Sequence, residues 1–110
     1  MSERSPELLL EDIVTSGQRI MQYVSELDFH QFNENQLVID AVIRNFEIIG
    51  EAANRLPEKY KDMHPEIDWP RIRGFRNRIV HDYAGIDLQI VWNIIRDYLP
   101  TMIRSLQSLR

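Results

Sequence analysis

The sequence predicts an all-α protein, an antiparallel helical bundle of four long helices plus a short connecting helix. Three observations carry that prediction. Apolar residues recur at helical spacing along most of the 110 residues, with no sustained period-two alternation. Glycine is sparse, at four residues. The five prolines all stand where a helix would begin, end or bend.

Each element has its own signals. In SPELLLEDIVTSGQRIMQYVSEL, Ser5 is a candidate N-cap, Pro6 suits the first helical position and Glu7 favours the first turn. Leu9, Ile13, Ile20, Val24 and Leu27 then mark one face, so helix one is expected from about 6 to 27. The stretch DFHQFNEN breaks the pattern. Asn33 followed by Gln36 resembles a capping box, opening a second helix over about 34 to 55. Pro57 ends it and begins a short third helix, PEKYKDM, which closes before Pro65. Pro70 starts helix four, about 70 to 81, with Gly85 beyond it as a stop. Asp87 is the expected N-cap of the last helix, about 88 to 108, which Pro100 should kink. The stripe Phe46, Ile49, Ile95 and Tyr98 is assigned to the core. Nothing divides the chain, so a single domain over residues 1–110 is expected.

Composition narrows the classes of function. With 44% hydrophobic and 27% charged residues, the chain is ordinary for a soluble globular protein. There is no cysteine, hence no disulfide framework and no thiolate metal site. The opening MSERSPELLL lacks a secretory-leader pattern, and no apolar run approaches the roughly 20 residues that span a bilayer, so a cytoplasmic protein with no membrane contact is expected. A net charge of −4 argues against a general nucleic-acid coat. The charge is uneven, however. Arg71, Arg73, Arg76 and Arg78 are four of thirteen basic residues and lie within eight positions, marking a spot for a particular anion in an acidic body.

That spot belongs to RIRGFRNRIVHDY, residues 71–83. Cleaving RNA without a metal requires a proton to leave the 2′-hydroxyl and another to reach the departing 5′-oxygen. Histidine, with an ordinary pKa of about 6.5, suits both tasks. A guanidinium fork matches the charge gathering on the phosphorus oxygens. Arg76, His81 and the amide of Asn77 would be a minimal kit. Spacing opposes it, because five residues place Arg76 and His81 about 140° apart on a straight helix. Convergence requires the helix to end or distort near His81. One histidine per chain also cannot easily act as both base and acid, whereas a two-fold dimer would supply two. From spacing and composition alone, a solvated basic face remains the better reading of this helix. His30 and His64 stand outside any metal-ligand spacing and read as surface or capping residues.

Over nearly the whole chain, however, the sequence is similar to a known family. RNRIVHDY resembles the Arg-x4-His-x-Tyr signature of the HepT-like toxins within the HEPN superfamily. RNFEIIGEAANRLPEKY, IDWPRIRGFRN and YAGIDLQIVWNIIRDYLP extend the resemblance across about residues 5 to 108. The resemblance implies a HEPN-like bundle that dimerises, with motif helices of both subunits lining a composite active site. It implies a metal-independent endoribonuclease without a cofactor, acting on an RNA substrate as the toxin of a toxin–antitoxin system. It further implies an MNT-like nucleotidyltransferase antitoxin that silences the toxin by AMPylation of the motif tyrosine. Carried over by position, Arg76 stabilises the transition state, His81 transfers protons, Asn77 supports them and Tyr83 accepts AMP. Assigning Arg71, Arg73 and Arg78 to the RNA backbone is a reading of their charge alone. A non-catalytic HEPN module that binds nucleotide or RNA, or a structural dimer subunit, stands as the alternative.

Overall fold

The computed structural model describes residues 4–75 and 87–109, which form seven helices and no strand. They are α1 (Pro6–Val24), α2 (Phe29–Asn33), α3 (Gln36–Arg55), α4 (Glu58–Asp62), α5 (Trp69–Phe75), α6 (Leu88–Asp97) and α7 (Leu99–Gln107). The all-helical bundle expected from periodicity is what the chain adopts, in a body of about 41 × 26 × 22 Å. Among the described residues, no helix is long and apolar enough to cross a membrane.

The two longest helices, α1 and α3, make the principal pair. Helix α1 opens as its sequence requires: Ser5 Oγ accepts from the Leu8 amide at 3.3 Å, and Pro6 needs no partner at the first turn. Just before it, Arg4 donates to both carboxylate oxygens of Asp12, at 2.7 and 2.9 Å, tying the entering chain to the helix. The inward stripe Leu9, Ile13, Ile20 and Val24 is buried. The helix stops at Val24 rather than near residue 27, though Leu27 still packs on the core after a turn closed by its amide to Val24 O at 3.0 Å.

Where a plain break was expected, the chain makes α2. Asp28 and Gln31 form the capping box: Asp28 Oδ1 accepts from the Gln31 amide at 2.8 Å, and Gln31 Oε1 accepts from the Asp28 amide at 2.9 Å. This short helix buries Phe32 against Trp92 of α6, ring centroids 5.2 Å apart, with Phe29 edge-on to the same indole at 6.2 Å. The cap of α3 is accordingly Asn35, whose Oδ1 accepts from the Val38 amide at 3.1 Å, and not Asn33.

Pro57 turns Leu56 to extended backbone and ends α3. The buried carbonyl of Ala53, left without an intrahelical partner because residue 57 is proline, is met by Lys61 of α4, whose ammonium donates to it at 3.2 Å while pairing with Glu58 at 3.2 Å. At 5% exposure Lys61 is a buried lysine, tolerated because both contacts serve its charge. At the other end, Asp87 caps α6 as expected, accepting from the Gln89 amide at 2.9 Å. The last helix divides at Tyr98, where Pro100 lacks the N–H that a continuous helix would need. Tyr98 O still accepts from the Met102 amide at 3.0 Å, so the division is a bend.

Helix α7 folds back on α1, and Gly17 sits at the contact. A Cβ there would lie 3.0 Å from Ile103 Cγ1 and 3.1 Å from its Cδ1, tighter than most carbon contacts, so the Ile103 side chain would have to give way by a few tenths of an ångström. Gly17→Leu should therefore destabilise the protein by roughly 1–3 kcal/mol through overpacking, read as a lower urea midpoint at unchanged slope.

Candidate functional site

The basic run begins on α5, a seven-residue helix held at three points. Asp68 opens it: its Oδ1 accepts from the Arg71 amide, and its carbonyl from the Ile72 amide, both at 3.2 Å. Trp69 is buried and its indole N–H donates to His64 O at 3.0 Å. Phe75, 1% exposed, lies edge-on to Phe46 of α3 at 5.2 Å and to Tyr98 at 6.0 Å. Aromatic pairs in this arrangement add to plain burial because positive ring edges meet negative faces. The end of α5, after which Arg76 follows in sequence, is thereby fixed to α3 and to the α6–α7 bend.

The expected core stripe is confirmed around this point. Phe46, Ile49 and Ile95 are fully buried, and Tyr98 is half-buried beside them.

Arg71 and Arg73 are both exposed and do not converge, since two positions on a helix differ by about 200°. The Arg71 guanidinium lies 3.7 Å from the centre of the Tyr98 ring, a cation–π contact. Arg73 faces α4, with Nη1 3.7 Å from Glu58 Oε1. Glu58 thus answers two cations, Lys61 and Arg73, at the edge of a cleft of about 300 Å³ bounded by Asp62, Pro65 and Trp69. On the Arg71 side a smaller cleft of about 140 Å³ runs between the α4–α5 connection and α7. Glu66, Ile67 and Asp68 line one wall, and Tyr98, Thr101 and Met102 the other. Burial raises the Tyr98 phenol pKa above its ordinary value; Arg71 pulls it down and Asp68 adds to the rise. His30 and His64 are ordinary by position: His30 pairs with Glu34 in solvent, and His64 lies against Tyr60 with Glu66 at 3.7 Å.

Arg76, Asn77, Arg78, His81 and Tyr83 lie outside the described residues, as does the expected ending of helix four near His81. Of the seven candidate residues, the structure therefore places Arg71 and Arg73. Sequence reasoning passed over Lys61 and the Tyr98–Arg71 stack. A lysine in a short amphipathic helix carries no signal of burial, and Tyr98 is twenty-seven positions from Arg71 in sequence.

Fold and flanking geometry together define a small all-helical protein whose basic helix, fastened by aromatic packing, leads into Arg-x4-His-x-Tyr. Residues 13–109 match the family described as Ribonuclease HepT-like, and the chain belongs to it. A Thermococcus cleftensis protein provisionally named ribonuclease HepT is 33% identical over 108 residues, covering 98% of this chain and 98% of its own. A Methanocaldococcus jannaschii protein provisionally named an RNase is 31% identical over 107 residues, or 97% of this chain and 98% of the relative. Another so named, from Caldanaerobacter subterraneus, is 27% identical over 106 residues, 96% of this chain and 95% of the relative. No solved structure matches the chain significantly.

The Tyr98 environment has a measurable consequence. A phenol whose folded pKa is raised contributes stability that is complete below its unfolded pKa of about 10 and is lost as pH rises through the folded value. Between about pH 8 and pH 11, Tyr98→Phe should lose less unfolding free energy than the unmodified chain. Parallel losses in the two proteins would show that the phenol is not held in its neutral form.

Proposed function

We propose that the chain is a metal-independent endoribonuclease, the toxin of a toxin–antitoxin pair, working through Arg76 and His81. The observation that carries this reading is family membership across residues 13–109 together with an unbroken Arg-x4-His-x-Tyr pattern at residues 76–83. In this reading, residues 1–110 act as one domain. The 2′-hydroxyl of the RNA attacks the adjacent phosphorus, one imidazole accepts its proton, and a proton is delivered to the leaving 5′-oxygen. Arg76 meets the charge on the phosphorus oxygens with its paired N–H donors, and Asn77 orients the phosphate. A homodimer resolves the shortage of titratable groups, because a composite site holds an imidazole from each subunit.

The arginines before the motif supply approach rather than chemistry. Arg71 and Arg73 are exposed, and Arg73 is held by a long ion pair with Glu58, itself 76% exposed in its side chain. Such a pair contributes little, so a phosphate can exchange for it. Arg78 would add a third contact.

An MNT-like nucleotidyltransferase is the proposed antitoxin, silencing the site by AMPylation of Tyr83. Tyr83 stands two residues past His81. A bulky anionic nucleotide there would fill the cleft and engage the arginines meant for RNA, without unfolding the bundle.

The purified chain should cleave RNA in excess EDTA. His81→Ala should lower the rate by about a hundredfold or more with the helical circular dichroism unchanged. Equal cleavage by the variant would refute the assignment of His81. RNA that is bound but left intact by the unmodified chain would favour the non-catalytic binding module.

A further inference from the structure

The 140 Å³ cleft beside Arg71 combines features that the proposed chemistry at Arg76 and His81 does not use. Its apolar lining comes from Ile67, Met102 and Tyr98. Its polar lining comes from two carboxylate residues, Glu66 and Asp68, on the α4–α5 connection and two hydroxyl residues, Thr101 and Ser105, on α7. At one edge the Arg71 guanidinium covers the Tyr98 ring at 3.7 Å.

Each feature restricts what fits. Two carboxylates repel a phosphate, so the occupant is not the anionic part of a nucleotide. A bare cation is disfavoured by Arg71 and by the apolar lining, and no group of three or more His, Cys, Asp or Glu gathers among the described residues. A flat, neutral, aromatic group with N–H donors along one edge satisfies the apolar and the polar lining together. The volume is well below the several hundred Å³ of a site for a drug-sized ligand, and so suits one ring system.

The two carboxylates are not equivalent. Asp68 Oδ1 already accepts from the Arg71 amide at 3.2 Å, capping α5. Glu66 has a long contact of 3.7 Å to His64 and a side chain 60% exposed, so it is free to turn. A carboxylate with both oxygens available accepts two parallel hydrogen bonds. Among the RNA bases, guanine alone presents two adjacent donors, N1–H and the N2 amine, on one edge.

We propose that the cleft between the α4–α5 connection and α7 is a guanine-reading pocket for single-stranded RNA. Glu66 receives the base edge, Tyr98 and Met102 its face, and Arg71 the neighbouring phosphate. The inference rests on the reading of the chain as a ribonuclease and adds to it a determinant of sequence preference. The pocket is lined by residues outside the Arg-x4-His motif, so in this reading it holds a base flanking the cut rather than the scissile phosphate.

The test uses 2′-O-methyl oligouridines, which lack the attacking hydroxyl, carrying one central guanine or one central inosine. Inosine keeps the N1–H and lacks the 2-amino group. Fluorescence anisotropy should show the unmodified chain binding the guanine strand about tenfold more tightly, as expected for one good base-edge contact. Glu66→Gln, at an exposed position, should bind both strands within about twofold of each other, with an affinity for plain oligouridine no weaker than that of the unmodified chain. Equal binding of the two strands by the unmodified chain overturns the proposal, as does a guanine preference that survives in Glu66→Gln, or no RNA binding at all. Cleavage of the corresponding unmodified RNA, measured separately, decides the ribonuclease reading independently of whether guanine is preferred.

Discussion

The edge-on packing of Phe75 between Phe46 and Tyr98 is the constraint on which the rest of the candidate site depends. Helix α5 has seven residues, too few to be stable in water by its own hydrogen bonds. Its position is therefore set by what its apolar side chains bury. Trp69, Ile72 and Phe75 recur at three-residue intervals and all three are below 7% exposed. Phe75 is the contact that reaches two other parts of the fold at once, the middle of α3 and the bend between α6 and α7. A basic segment set on such an anchor is aimed by the core, while its charges stay at the surface.

That bend follows from one proline. Pro100 removes a backbone donor, the helix divides at Tyr98, and the tyrosine is left half-buried at the corner. A continuous helix would carry residues 98 and 102 forward on the same face. The corner instead sets the ring nearly perpendicular to Phe75 and presents a ring face to Arg71. A single sequence feature thus shapes the aromatic anchor, the cation–π contact and one wall of the smaller cleft.

How much of this was legible in the sequence varies by the length of the signal. Long amphipathic periodicity placed α1 and α3, and the short-range chemistry of Ser5, Asp87 and Pro100 placed caps and the bend, because those effects act within one turn. Helix α2 was hidden because five residues cannot display a 3.6-residue period. Its Asp28–Gln31 box was overshadowed by a similar pattern two or three residues before α3. The burial of Lys61 was illegible for another reason: it depends on a carbonyl at the end of α3, eight residues away, and on the path that Pro57 imposes. Of the candidate site, the motif was legible only through resemblance, since helical spacing alone separated Arg76 from His81 by about 140°. The Arg71–Tyr98 stack needed the fold.

The geometry of α5 also bears on the first two arginines of the basic run. Four arginines within eight positions read in one dimension as a patch, and a patch would bind any polyanion in proportion to its charge. In three dimensions Arg71 and Arg73 leave α5 about 200° apart, and each meets a different local partner. Arg73 shares Glu58 with Lys61, so that cleft is close to neutral where it opens. Arg71 covers the Tyr98 ring, and its amide is capped by Asp68. Neither side offers an uninterrupted positive surface, and the chain as a whole carries a charge of −4. Around α5, attraction to a polyanion is therefore interrupted, and any contact of Arg71 or Arg73 with a phosphate would be a short-range one. In the proposed ribonuclease, these two arginines would favour strands that fit by shape and hydrogen bonding over strands held by long-range attraction alone.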